Sequence, residues 1–263
     1  MLIKLLKYDL KWIYKVLIVF YILTILFSTL GRLLSMIENS IILNVIGQIC
    51  LGTSVTMIIN ILINNFMRVW ARFTRNMYKD EAYLTHTLPI NKSTLYLSKF
   101  LSAIITMITS FLVIIIALFI AYYSKETLEV IKNSLESIAL IYESSIADLL
   151  SIVFIVLLLE LIYALVAGYL GIIIGHKSNN RKIVKSIIYG FIVFIIPSVL
   201  TLITLFVIGV FNPTVMNFFK TTEQISISAL KSILYIGIIM YICYIFIYYL
   251  ICNKLLKKGV DID

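Results

Sequence analysis

Long, almost unbroken apolar runs alternate with short polar connections along this chain. The runs cover about residues 16–36, 41–69, 95–123, 149–175, 187–211 and 232–252. Each reaches about 20 residues or more, the length a helix rising 1.5 Å per residue needs to cross about 30 Å of hydrocarbon. The pattern predicts an all-α, polytopic membrane protein with six transmembrane helices. Composition points the same way, since 62% of the 263 residues are hydrophobic and 13% are charged, against about 45–50% and about 25% in soluble domains. Soluble, disordered, collagenous and disulfide-rich secreted classes are thereby excluded. Residues 1–263 are read as a single transmembrane domain, with no length left for a separate catalytic domain.

The polar stretches carry organisation of their own. At 100° per residue, Lys4, Lys7, Lys11 and Lys15 share an arc of about 80°, with Leu2, Leu6, Leu10 and Ile13 on the other side. Residues 1–15 are therefore expected to form an amphipathic helix on the inner membrane surface, in contact with lipid headgroups. A cleaved secretory signal is not expected, because the following apolar segment is too long and no small-x-small site precedes Gly31.

After the second run, Arg68, Arg72, Arg75 and Lys79 recur along one helical stripe, while Trp70, Phe73 and Met77 lie on another. The helix is expected to continue past the hydrocarbon into a hairpin within residues 70–94, closed by Pro89, which pushes its predecessor out of helical geometry. Tyr83, Leu84 and Leu88 are spaced to give that hairpin an apolar edge, which favours a docking surface over a plain connection. Residues 124–148 place Leu128, Ile131, Leu135, Ile138 and Tyr142 at three- and four-residue steps behind a Ser124 N-cap. They are expected to form an external helix.

Orientation follows from the basic residues. Seventeen of the 22 Lys and Arg fall on the side that holds both termini and the second and fourth connections. The other side keeps Arg32, Lys125, Lys132, Lys220 and Lys231. The positive-inside rule then puts both termini in the cytoplasm. The net charge of +9 is accounted for by this asymmetry, and no nucleic-acid partner is expected because no basic patch is interleaved with stacking aromatics.

Glu160 stands alone as an acid deep in a run. A charge there costs about 2.5–3.5 kcal/mol, which makes it a candidate pathway or gating residue, with a hydrogen-bonded packing role as the open alternative. Ala164, Ala167, Gly168, Gly171 and Gly175 allow close helix approach, read as packing within the chain, and Pro197 should kink the fifth span. The amides Asn44, Gln48, Asn60, Asn64 and Asn65 favour helix-to-helix hydrogen bonding. Cys50, Cys243 and Cys252 have no paired spacing.

Enzyme chemistry is not expected. The stretch Gly171 to Ser178 has the wrong glycine gap for a phosphate loop and no preceding strand. An intramembrane metalloprotease would need histidines at bilayer depth, whereas His86 and His176 fall in or beside connections.

Six spans, an amphipathic N-terminal segment and the stretch Tyr78-Lys-Asp-Glu-Ala-Tyr-Leu-Thr-His-Thr-Leu-Pro89-Ile-Asn-Lys-Ser93, followed by Lys99, resemble the membrane subunit of bacterial type-2 ATP-binding-cassette exporters. The similarity is strongest to permeases that export antimicrobial or amphipathic toxin peptides, phenol-soluble modulins among them. The resemblance implies location in the bacterial cytoplasmic membrane, a separate ATPase subunit that binds ATP and magnesium, and no cofactor on this chain. It also implies a second permease copy or paralogue and a peptide substrate. Asp80, Glu81, Tyr83, Leu84, His86, Leu88 and Pro89 would couple to the ATPase, with the Lys4–Lys15 helix beside them. The alternative is an ion-coupled transporter, or a peptide-binding immunity or sensor protein, working without an ATPase.

Overall fold

The computed structural model describes residues 1–37, 40–178, 180–216, 219 and 227–259. Within them the chain forms only helices: α1 Leu2–Ser35, α2 Ile41–Met77, α3 Ala82–Thr87, α4 Lys92–Tyr122, α5 Lys125–Ile141, α6 Ile146–His176, α7 Lys182–Phe211, α8 Pro213–Met216 and α9 Ile227–Lys257. Six of these (α1, α2, α4, α6, α7 and most of α9) are long and apolar enough to cross a membrane, so the chain is a multi-pass membrane protein. Of the residues used for orientation, Lys220 lies outside the described residues.

The amphipathic segment 1–15 and the first apolar run are one unbroken helix of 34 residues. Lys4, Lys7, Lys11 and Lys15 are all exposed along it. At 37 residues, α2 is about 55 Å long, well beyond the thickness of the hydrocarbon, and its last turns carry the basic stripe. Ser124 caps α5 as expected, its Oγ accepting the Thr127 amide at 2.9 Å. The helix stops at Ile141, shorter than 124–148, and Ser145 opens α6. Leu128, Ile131 and Ile138 on its stripe remain exposed.

Two compact units divide the chain, Met1–Ser134 and Leu135–Asp263. In the first, α1 and α2 run antiparallel in one register, with Ser28 against Ser54, Gly31 against Leu51 and Gly47 against Ser35. A side chain at Gly47 would reach the Ser35 backbone nitrogen at 2.7 Å, so the two backbones are as close as glycine allows. Alongside α1 and parallel to it lies α4, joined by Tyr14 Oη to Thr109 Oγ1 at 2.8 Å and by Tyr21 Oη to Ser110 Oγ at 2.7 Å. Asn65 is buried between α2 and α4. Its Nδ2 donates to the Thr106 carbonyl at 2.8 Å and to Ser110 Oγ at 2.7 Å, and its Oδ1 accepts from Thr106 Oγ1 at 3.1 Å. This amide thus does the helix-joining work expected of it, while Asn60 and Asn64 bond back to their own helix.

The second unit packs α6 against α7 antiparallel, Gly171 facing Gly190 and Gly175 facing Ser186. The small residues of α6 therefore serve packing within the chain. Next to them, Pro197 interrupts the hydrogen bonding of α7. A proline has no N–H for the carbonyl four residues before it, which here belongs to Val193. Tyr248 Oη donates to that carbonyl at 2.8 Å, and Tyr163 Oη donates to the neighbouring Phe194 carbonyl at 2.6 Å. In hydrocarbon an unsatisfied carbonyl costs several kcal/mol, so tyrosines on α6 and α9 supply what the proline removes.

Gly175→Ala places a methyl group 2.5 Å from the Ser186 Cα. It should lower stability by about 1–3 kcal/mol, the usual cost of overpacking, seen as an earlier thermal unfolding transition of the purified protein. Gly237→Ala, which meets open space, should leave the transition in place. Equal transitions for both variants would contradict the close α6–α7 approach.

Candidate functional site

In the first unit, charged side chains from three helices and the hairpin meet where the end of α2 joins α3 and the starts of α1 and α4. Asp9 on α1 is 1% exposed and Lys99 on α4 is 5% exposed. Asp9 Oδ1 accepts from Lys99 Nζ at 2.5 Å and from Arg72 Nε at 2.9 Å, and its Oδ2 accepts from Ser98 Oγ at 3.0 Å. Lys99 Nζ also donates to the Asn76 Oδ1, and the Asn76 amide nitrogen donates to Glu81 Oε2. Arg72 Nη1 reaches the same Glu81 oxygen at 2.7 Å. Arg75 Nε lies 3.1 Å from Glu81 Oε1 and 3.9 Å from Asp80 Oδ2.

Helical spacing explains the assembly. Arg68, Arg72 and Asn76 are four residues apart and so lie along one face of α2. Arg72 forks between Asp9 on one side and Glu81 on the other, the geometry a guanidinium supplies and an ammonium does not. Arg68 Nη2 donates to the Trp12 carbonyl at 2.8 Å, and the guanidinium carbon stands 3.6 Å from the centre of the Trp12 ring. The basic stripe is thus not simply a solvated face, because its first two arginines fold onto α1. Beneath the charges, Phe73 and Tyr96 meet edge-on at 6.3 Å and both are fully buried.

The hairpin residues divide by role. Glu81 precedes α3 and ties it to α2. His86, in the last turn of α3, places Nε2 3.1 Å from the Met77 carbonyl, which the end of α2 leaves without a helical partner. Ala82 is fully buried, so α3 is anchored on one side. On the other side Tyr83 is 65% and Leu84 74% exposed, with Leu88 also exposed. Leu88 is extended at ψ 137° ahead of Pro89, which ends the helix as expected. Asp80 and Pro89 are exposed. Six of the seven hairpin residues therefore fall either on the anchoring side (Glu81, His86) or on the presented side (Asp80, Tyr83, Leu84, Leu88), and Pro89 closes the segment.

Glu160 belongs to the second unit and is not part of this cluster. It is exposed on α6 and accepts a hydrogen bond from Tyr241 Oη on α9 at 3.2 Å. Among the described residues no group of three His, Cys, Asp or Glu could hold a metal ion.

The sequence reading passed over Asp9, Trp12, Asn76 and Ser98, and it counted Lys99 as a connection charge although it is buried. One signal for Asp9 was present. It is the only acid before Glu38, and on a helical wheel it sits about 160° from the centre of the lysine arc, on the apolar side. An acid there is buried when the helix packs, and a buried acid needs a cation.

Removing one partner of a buried pair leaves an uncompensated charge, at about 3–5 kcal/mol. Asp9→Asn and Lys99→Met should each destabilise the purified protein on that scale, whereas the double variant should cost less than their sum by about 1–3 kcal/mol. Additive losses in a thermal unfolding cycle would show that the two residues do not act as a pair. Comparison of the chain with protein-family models, with curated proteins and with solved structures finds no match, so a reading of function starts from the anchored α3 hairpin and its buried charges.

Proposed function

We propose that this chain is the transmembrane subunit of an ATP-binding-cassette exporter of the type-2 class, working in the bacterial cytoplasmic membrane with a separate ATPase subunit. The observation that carries the proposal is α3: a six-residue helix, tied on one side by Glu81, Ala82 and His86, that holds Tyr83 and Leu84 exposed on the other. A connection that only joined α2 to α4 would need neither the anchoring nor the exposed apolar pair. Aromatic and large aliphatic side chains set rigidly on a small projection are what a protein partner buries as anchors.

In this reading both termini and the hairpin are cytoplasmic, as the distribution of Lys and Arg favours. ATP binding and hydrolysis occur on the partner, which supplies nucleotide and magnesium sites. Movement of the ATPase presses on α3. Glu81 hands the displacement to Arg72, Arg75 and Asn76 on α2, and Asp9 and Lys99 carry it to α1 and α4. Because Asp9, Lys99 and most of Arg72 are buried against one another, the helix ends shift together rather than separately, and the spans tilt between two arrangements. The transported molecule is an amphipathic peptide, and a second permease copy or a paralogue completes the pathway.

The test separates presentation from anchoring. Tyr83→Ser together with Leu84→Ser changes only exposed side chains, so the variant should keep the native unfolding temperature. Loss of an interface anchor costs about 2 kcal/mol or more, so ATPase activity co-purifying with the variant from its native membrane should fall by about tenfold or more. An ATPase retained at native level by the double variant, or absent from the native chain, would overturn the coupling reading.

A further inference from the structure

Glu160 is the fifteenth of 31 residues in α6, and Tyr241 is the fifteenth of 31 in α9. Both therefore lie at mid-span, where an ionised side chain is costly unless something offsets it. Yet the carboxyl group is exposed, and among the described residues its one hydrogen bond comes from Tyr241 Oη. No Lys or Arg occurs in α6. Those of α7 and α9 (Lys182, Lys185, Lys231, Lys254 and Lys257) sit close to the helix ends.

The same holds for the whole chain. No Lys or Arg lies within a helical turn of the middle of any apolar run. A second copy at the same depth would bring no Lys or Arg either, so a cation that met this carboxyl group would come from another molecule.

The surroundings of the carboxyl group suit a cation. The Tyr241 ring stands edge-on to Tyr163 with centroids 5.6 Å apart, and Tyr163 is stacked with Tyr248 at 6.1 Å and tilted against Phe194 at 5.3 Å. The hydroxyls of Tyr163 and Tyr248 are committed to α7 carbonyls beside Pro197, which fixes the Tyr163 ring against Tyr241. A carboxylate held in place by a tyrosine hydroxyl attracts ammonium and guanidinium groups and repels anions.

We propose that Glu160 and Tyr241 form a binding site for the ammonium group of a lysine-bearing amphipathic peptide at mid-membrane depth. The proposal rests on the transport reading for the arrival of such a ligand, and it specifies the ligand's charge. Glu160 takes the cation as its counter-charge. Tyr241 orients the carboxylate through its hydroxyl.

The full-length chain in nanodiscs of zwitterionic lipid is titrated with a fluorescent 20-residue leucine–lysine amphipathic helix, and with the same peptide carrying glutamine at every lysine. Partitioning into empty nanodiscs is subtracted. The native chain should prefer the lysine peptide by about tenfold, the scale of one desolvated charge contact. Glu160→Gln, which keeps an acceptor for Tyr241, should abolish the preference, and Glu160→Asp should restore most of it. A native preference in Glu160→Gln, or no preference in the native chain, overturns the proposal. Should Glu160→Gln fail to fold, Tyr241→Leu serves in its place, with at least a threefold loss expected and an unchanged preference counting against the site. Binding is read without an ATPase, so a failure here is distinct from a failure of the coupling reading.

Discussion

Hydrocarbon offers a polar group no water to fall back on, and most of the polar placements in this chain follow from that constraint. Serines, threonines and an asparagine pair across α1, α2 and α4 because each would otherwise be orphaned at depth. Pro197 shows the constraint at its clearest. It removes one backbone donor, and two tyrosine hydroxyls from different helices converge on the carbonyls beside the gap. Such bonds are worth only about 1 kcal/mol each in a membrane, so they fix register more than they stabilise. Register is what a site built from several helices requires.

The same constraint is most severe for ions, which is why Asp9 organises the first unit. One carboxylate is met by an ammonium, a guanidinium and a hydroxyl, each from a residue on α2 or α4. Arg72 then carries the pairing on to Glu81, so the hairpin is held by charges that also hold the helix ends. Neither Asp9 nor Lys99 can leave without stranding a buried charge. A force applied at α3 is therefore shared by α1, α2 and α4, whatever the source of the force, and this property makes the hairpin suitable for coupling to a partner.

Much of this was legible in the sequence, and the failures are specific. The six spans were visible because a helix facing lipid must be apolar over its whole circumference, which leaves no ambiguity of period. The exposed pair Tyr83 and Leu84 was visible because apolar residues stood out among charges. Asp9 was missed because its partners lie 63 and 90 residues away, and periodicity places a residue on a face without naming what that face meets. Lys99 was misread for the opposite reason, since a lysine near the end of an apolar run is ordinarily a positive-inside charge in water. The tyrosine hydroxyls at Pro197 could not be read at all. A missing N–H is evident from the sequence, but the side chain that replaces it is chosen by packing.

Asp9 and Glu160 show two ways of keeping an acid away from water. Asp9 is closed: its counter-charges belong to the chain, its exposure is 1%, and any change there is felt as stability. Glu160 is open, with a single tyrosine hydroxyl as partner and a face left uncovered. A buried, fully paired ion can transmit displacement but has no valence left for a ligand. An exposed ion with an unmet charge contributes little to holding helices together and has that valence free. The two situations fall to different acids on different helices, Asp9 on α1 and Glu160 on α6. The rigid pairing sits beside the α3 hairpin, and the less constrained acid sits at the middle of α6.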